Sequence, residues 1–117
     1  MNSSLIGAFG EHLAADYLRD KKYDIKAANF KTYTGEIDLI AEKAGVICFV
    51  EVKTRQIGTL LSPASAVDNR KQENIKSCAS VYLNEWCKKG IKHRFDIIEV
   101  LLDGRRLKDI NHIKDAF

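Results

Sequence analysis

The chain has a single proline, seven glycines and three cysteines in 117 residues, and no long unbroken apolar run. Each shortage excludes something. An odd cysteine count, with the three at 48, 78 and 87, argues against a disulfide framework and offers no close pair for a metal. Cys48 in an apolar strand and Cys78 on an apolar helix face read as buried, reduced thiols. No stretch approaches the roughly 20 apolar residues of a membrane span, and no basic segment followed by an apolar run opens the chain. The expectation is a soluble, cytoplasmic protein with no membrane partner. His12, His93 and His112 are scattered without zinc-like spacing and receive no catalytic role. No repeat or low-complexity segment appears, and the length fits one domain spanning residues 1–117.

Charge is neither scarce nor one-sided. Lys and Arg number 19 against 16 Asp and Glu, a formal net charge of +3, which permits nucleic-acid binding without requiring it. The basic residues gather in separate groups at Lys21-Lys22, Arg70-Lys71, Lys88-Lys89 with Lys92-His93-Arg94, and Arg105-Arg106 with Lys108. Each group suits either a phosphate track or a solvated surface.

Acids inside apolar runs are the distinctive content. Gly35-Glu36-Ile37-Asp38-Leu39-Ile40 and Cys48-Phe49-Val50-Glu51-Val52-Lys53-Thr54-Arg55 both read as strands, joined by the Lys43-Ala44-Gly45 turn into a hairpin. Alternation puts Glu51 and Lys53 on one face and Val52 on the other. Glu-Val-Lys alone equally describes a solvated pair on an exposed sheet. Asp38 among Ile37, Leu39 and Ile40 does not, because an ionised group there is costly to desolvate without a partner. A hard cation, Mg²⁺ or Mn²⁺, suits that pair of carboxylates and keeps its other positions for water and phosphate. Asp38, Glu51 and the backbone carbonyl of Val52 are the candidate metal ligands. Lys53 is the candidate group beside the water and the scissile phosphate.

A first helix is expected over Leu5 to Asp20, where Ile6, Phe9, Leu13 and Tyr17 recur at helical spacing, capped by Asn2, Ser3 or Ser4. Glu11 falls off that stripe, so it either reaches sideways to the site or faces water. Tyr23 to Thr32 reads as the first strand. Gln56 to Pro63 reads as a loop over one end of the site, a DNA-facing lid. A second helix is expected from about Ala64 to Lys88 or Lys89 with Gly90 as C-cap, its apolar face made of Ile75, Cys78, Ala79, Tyr82, Leu83 and Trp86. Arg94 to Leu102 reads as a further strand, and the Asp103-Gly104 turn leads to a short tail. Helix, three strands, helix and strand suit an α/β domain with a mixed sheet covered on both faces.

The motif residues resemble a known family. Gly35 to Ala41 and Phe49 to Arg55, with Gly10 to Leu18, Lys71, Arg94-Phe95-Asp96, Asn111-His112-Ile113 and the closing Ala116-Phe117, are similar to the bacterial YraN family. Those endonuclease-like proteins resemble archaeal Holliday junction resolvases, within the PD-(D/E)xK nuclease superfamily. The resemblance implies a restriction-endonuclease-like fold, a central mixed β-sheet flanked by helices. It makes Asp38, Glu51 and Lys53 the Asp, Glu and Lys of the nuclease motif, and Glu11 the additional acid of the first helix. Ile37 stands where the superfamily's name has proline, a residue that ligates nothing. The implied activity is Mg²⁺- or Mn²⁺-dependent cleavage of DNA, branched DNA included, by a two-fold homodimer. A module that keeps the fold and binds nucleic acid with little turnover is the other reading. Arg55 and Lys71, long cations close to the site in the chain, are expected to contact phosphates.

Overall fold

A computed structural model describes residues 2–59 and 67–117. The chain forms helix α1 (Ser3–Asp20), strands β1 (Asp24–Thr32), β2 (Gly35–Lys43) and β3 (Val46–Gln56), helix α2 (Asn69–Trp86), and strands β4 (Lys92–Asp103) and β5 (Arg106–Ile113). The strands lie in the order β1-β2-β3-β4-β5. The first three form an antiparallel meander, β3 and β4 are parallel across the α2 connection, and β5 returns antiparallel to β4. This five-stranded mixed sheet with a helix on each face matches the restriction-endonuclease-like arrangement.

Two apolar cores hold the layers together. Ala14, Ala15 and Leu18 of α1 pack on Leu39, Ala41, Cys48, Val50, Val52, Ile98, Val100 and Leu102. Ile75, Cys78, Ala79 and Tyr82 of α2 pack on Ile37, Ile40, Ile47, Phe49 and Ile97. β3 therefore carries even-numbered residues toward α1 and odd-numbered ones toward α2, as a two-residue period requires. The β2–β3 loop is Ala44-Gly45, both with positive φ (53° and 78°), the twist a two-residue hairpin prefers.

Several boundaries differ from the sequence reading. Asn2 caps α1, its side chain accepting the Leu5 N–H at 2.9 Å, so the helix starts at Ser3. α2 begins at Asn69, because Asp68 is extended and its carboxylate accepts the Lys71 N–H at 2.8 Å. It ends at Trp86, where Cys87 turns out of helical backbone and packs into the α2-side core, so Gly90 is not its C-cap. Trp86 is 69% exposed, since it closes the helix beyond the core; Tyr82 is buried as expected. The supposed tail is the strand β5. Gln56 is the last residue of β3, and its amide exchanges hydrogen bonds with the Gly104 backbone at 2.9 and 3.0 Å. The rest of the proposed lid, from residue 60, and the Ala64 helix start lie outside the described residues. Among the described residues no helix is long and apolar enough to cross a membrane.

Gly10 sets how close α1 lies to β3. A Cβ there would overlap Thr54 Oγ1 and stand 2.7 Å from Thr54 Cβ, a branched side chain with little room to move. Gly10→Ala, which in an open helix would gain up to about 1 kcal/mol, is expected instead to destabilise by about 1–3 kcal/mol through overpacking. Thermal denaturation of the two proteins measures the sign directly.

Candidate active site

The alternation of β2 breaks at Asp38. Ile37 packs under α2 and Leu39 under α1, although residues two apart on a regular strand share a face. The β2–β3 ladder also stops there, its last pair being Leu39 with Val50. On β1, Asn29, opposite this point, has φ 52°, a conformation asparagine tolerates better than most residues. The kink turns the Asp38 carboxylate along the sheet toward β3, where Oδ2 accepts the Val52 N–H at 2.8 Å. In an extended strand one residue's N–H and C=O point to the same side. The Val52 carbonyl thus faces the gap that β2 leaves.

Glu51 stands beside this gap on the α2 side and is 5% exposed. Its Oε1 meets Lys71 Nζ at 2.7 Å and Lys53 Nζ at 3.7 Å. Its Oε2 is buried with no hydrogen-bond partner. Burial and then the Glu51 charge push the Asp38 carboxyl up to about 7, with Glu11 adding to the repulsion; the Val52 N–H and Lys71 oppose them. Burial and the neighbouring Lys71 charge pull the Lys53 ammonium below its ordinary value, against the attraction of Glu51. Lys71 goes the other way. Burial would lower it, but the hydrogen bond and charge of Glu51 outweigh burial and raise it.

Glu11 arrives from the opposite sheet face and lines the same cleft as Asp38, Glu51, Val52 and Lys53. Its Oε1 accepts from Asn29 Nδ2 at 2.8 Å, and the same amide donates to Glu36 at 3.1 Å. Arg55 and Thr59 also line that cleft, whose volume is about 450 Å³. A second cleft of about 390 Å³ opens on the α2 side between Gly35, Arg70, Asn74 and Ile75, and it too is walled by Asp38, Glu51 and Lys71.

The structure therefore brings together Asp38, Glu51, Val52, Lys53, Glu11 and Lys71, with Arg55 in the lining of the same cleft. Among the described residues no three His, Cys, Asp or Glu side chains form a ready metal cage. A hard cation such as Mg²⁺ needs only one or two carboxylates. An acid raised by burial and by its neighbour's charge, an unpartnered buried carboxylate oxygen and a backbone carbonyl facing the gap make a donor set that fits such an ion.

Sequence reasoning passed over two features. Asn29 links Glu11 to Glu36 and sits at the kink; its place opposite Asp38 follows only from register. Arg94, counted with a surface basic group, points inward instead, and its Nε donates to both carboxylate oxygens of Asp96 at 3.0 and 3.2 Å. Asp96 is fully buried and is also held by His112 Nε2 at 2.8 Å and the Asp115 N–H at 3.0 Å. The signal was present in an acid flanked by Phe95 and Ile97 with an arginine two residues earlier.

The model of the Uncharacterised protein family UPF0102 matches residues 10–100. The chain belongs to that family. A UPF0102 protein of Caldanaerobacter subterraneus subsp. tengcongensis is 45% identical over 119 residues, covering 100% of this chain and 98% of its own. One from Syntrophomonas wolfei is 45% identical with both chains fully covered, and one from Alkaliphilus oremlandii is 45% identical over 96% of this chain and 97% of its own. UPF0102 is the YraN family to which the motif residues pointed, and the match spans both site strands, α2 and most of β4.

Proposed function

We propose that this UPF0102 protein is a Mg²⁺- or Mn²⁺-dependent endonuclease that hydrolyses DNA phosphodiester bonds, branched DNA included. The observation that carries the reading is Glu51: a carboxylate buried to 5% exposure, with one oxygen unpartnered, beside a second acid that burial and the Glu51 charge raise to about 7. A purely structural acid at this depth would have its oxygens satisfied. A buried acid pair with an open oxygen is suited to a cation that arrives from outside the chain.

In this reading Asp38, Glu51 and the Val52 carbonyl hold the ion, which when bound supplies charge against the phosphate and makes a water more acidic. Lys53 directs that water and stabilises charge developing on the phosphorus. Glu11 adds negative charge on the α1 side of the cleft, with Asn29 fixing its direction. Arg55 and Lys71 meet phosphates on either side of the reacting one. A two-fold dimer would present two such sites to a junction. The reading places the protein in the cytoplasm, where its three free thiols stay reduced.

Incubation of purified protein with linear, flapped and four-way DNAs, with Mg²⁺, Mn²⁺ or EDTA, tests the proposal. Metal-dependent internal cleavage supports it. No cleavage of any DNA together with no metal binding leaves only a nucleic-acid-binding module with a nuclease fold. Arg55→Ala is expected to weaken DNA binding and to reduce the slope of log affinity against log salt by about 1. An unchanged slope would return Arg55 to the solvated surface.

A further inference from the structure

We propose that Lys71 is a built-in occupant of the metal site: its ammonium group holds Glu51 in the metal-free protein, and a divalent cation must turn it out toward the phosphate path. The inference rests on the metal-dependent reading above and adds a loading step to it.

The geometry points to Lys71 rather than Lys53. Both ammonium groups address the same oxygen, Oε1 of Glu51, but Lys71 is in contact at 2.7 Å while Lys53 stands off at 3.7 Å. An ionised carboxylate as buried as Glu51 is costly without a partner, so the metal-free site needs a cation of its own. A divalent ion entering at the open Oε2 would share one carboxylate with the ammonium groups on Oε1, and like-charge repulsion then works hardest against the nearer of them. Lys53 is tied to Glu51 by the strand, two residues along on the same face. Lys71 lies in the first turn of α2 with its side chain 44% exposed, and its backbone is fixed independently by the Asp68 cap. Its side chain can leave without unwinding the helix.

Where it goes is also defined. Lys71 walls both clefts, the one also lined by Arg55 and Thr59 and the one also lined by Arg70 and Asn74. Released from Glu51, its ammonium remains at the junction of the two, beside a strand passing from one to the other. Metal loading therefore frees a phosphate contact as it completes the site. The same side chain opposes the metal before binding and assists the polynucleotide after it.

Calorimetric titration with Mn²⁺ of wild type, Lys71→Met, Lys71→Arg, Lys53→Met and Glu51→Gln tests this. Lys71→Met should bind Mn²⁺ about fivefold more tightly, the size of a half-exposed ion pair removed from competition. Lys71→Arg keeps the occupant and should stay near wild type, and Lys53→Met should gain less than Lys71→Met. A second readout needs no variant at Lys71. Acetylation of Lys71 by acetic anhydride, followed by mass spectrometry, should accelerate severalfold when Mn²⁺ is added to wild type and not when it is added to Glu51→Gln. Equal tightening in Lys53→Met and Lys71→Met would show a general charge effect and overturn the displacement. So would unchanged Lys71 labelling in a protein that binds Mn²⁺, and in both cases the nuclease reading stands. If neither wild type nor Lys71→Met binds Mn²⁺, the metal-dependent reading itself falls.

Discussion

Asp38→Asn and Lys53→Ala should each cut DNA cleavage by about 10²–10³ or more, the usual cost of losing one group that stabilises charge in a transition state. The two should part company on the metal. Asp38→Asn replaces a charged oxygen by a neutral one, so calorimetric titration with Mg²⁺ or Mn²⁺ should show weaker binding. Lys53→Ala removes a cation 3.7 Å from Glu51, so binding should survive or tighten. Neither change threatens the fold, because the Asn carbonyl still accepts the Val52 N–H and Lys53 is partly exposed. Asp38→Asn has a further signature in the metal-free protein. Asp38 is raised by burial and Glu51 to about 7, so the folded state binds a proton more tightly than the unfolded chain does. Stability from this group is present below the ordinary aspartate range, near pH 4, and is lost as pH climbs to about 7. Wild type should therefore melt at a lower temperature at pH 8 than at pH 5 without divalent ions, and Asp38→Asn should reduce that difference. Added Mg²⁺ should restore the wild-type midpoint at pH 8. Equal cleavage and equal metal binding in all three proteins would end the catalytic assignment.

The hairpin was legible because its signals are local. A short apolar run from Val46 to Val50, an Ala44-Gly45 turn and charged residues in apolar company are all contained in twenty residues. β5 was not legible. Arg106 to Asp109 are exposed on an edge strand, so the run lacks the apolar alternation that marks a half-buried one. The kink at Asp38 was invisible for a different reason: it depends on Asn29 of another strand and on the ladder ending at Leu39. Sequence put the two acids on neighbouring strands, but only the fold shows why Asp38 looks along the sheet. Lys71 illustrates the limit of proximity in sequence. Its nearness to the motif suggested phosphate contact, whereas the closing of α2 over β3 sets it on Glu51 itself. Trp86 fails in the opposite sense, since a helical stripe describes a face and says nothing of where the opposing sheet stops.

One rule, an acid amid apolar residues, selects Asp38, Glu51 and Asp96 alike, and the partners decide what each acid is for. Asp96 has all it needs: Arg94 on both oxygens, His112 on Oδ2 and the Asp115 N–H on Oδ1, with Arg94 also donating to the Tyr23 hydroxyl at 2.8 Å. Burial by itself would raise its carboxyl, but these hydrogen bonds prevail and hold it below the ordinary range. The network ties β4 to β5 and to the C-terminal residues, where the Ala116 N–H also meets the Phe95 carbonyl at 2.6 Å. Asp96→Ala should therefore cost about 3–5 kcal/mol, because it leaves the Arg94 charge and the buried His112 ring without their acceptor. Glu51→Gln should cost far less in the metal-free protein, since Lys53 and Lys71 are 34% and 44% exposed and regain water. The pH dependence has the opposite sign to that of Asp38. A carboxyl held low contributes stability above its unfolded value, near pH 4, and loses it as acid protonates the folded form. Asp96→Ala should thus close much of its gap from wild type in strong acid, while Asp38→Asn differs most at neutral pH and above. Denaturant unfolding of the three variants at pH 3, 5 and 8 separates the structural acid from the pair proposed to hold metal. If Asp96→Ala unfolds within about 1 kcal/mol of wild type at pH 8, the buried network is not what fastens β5 to the sheet, and Asp96 itself becomes a candidate for chemistry.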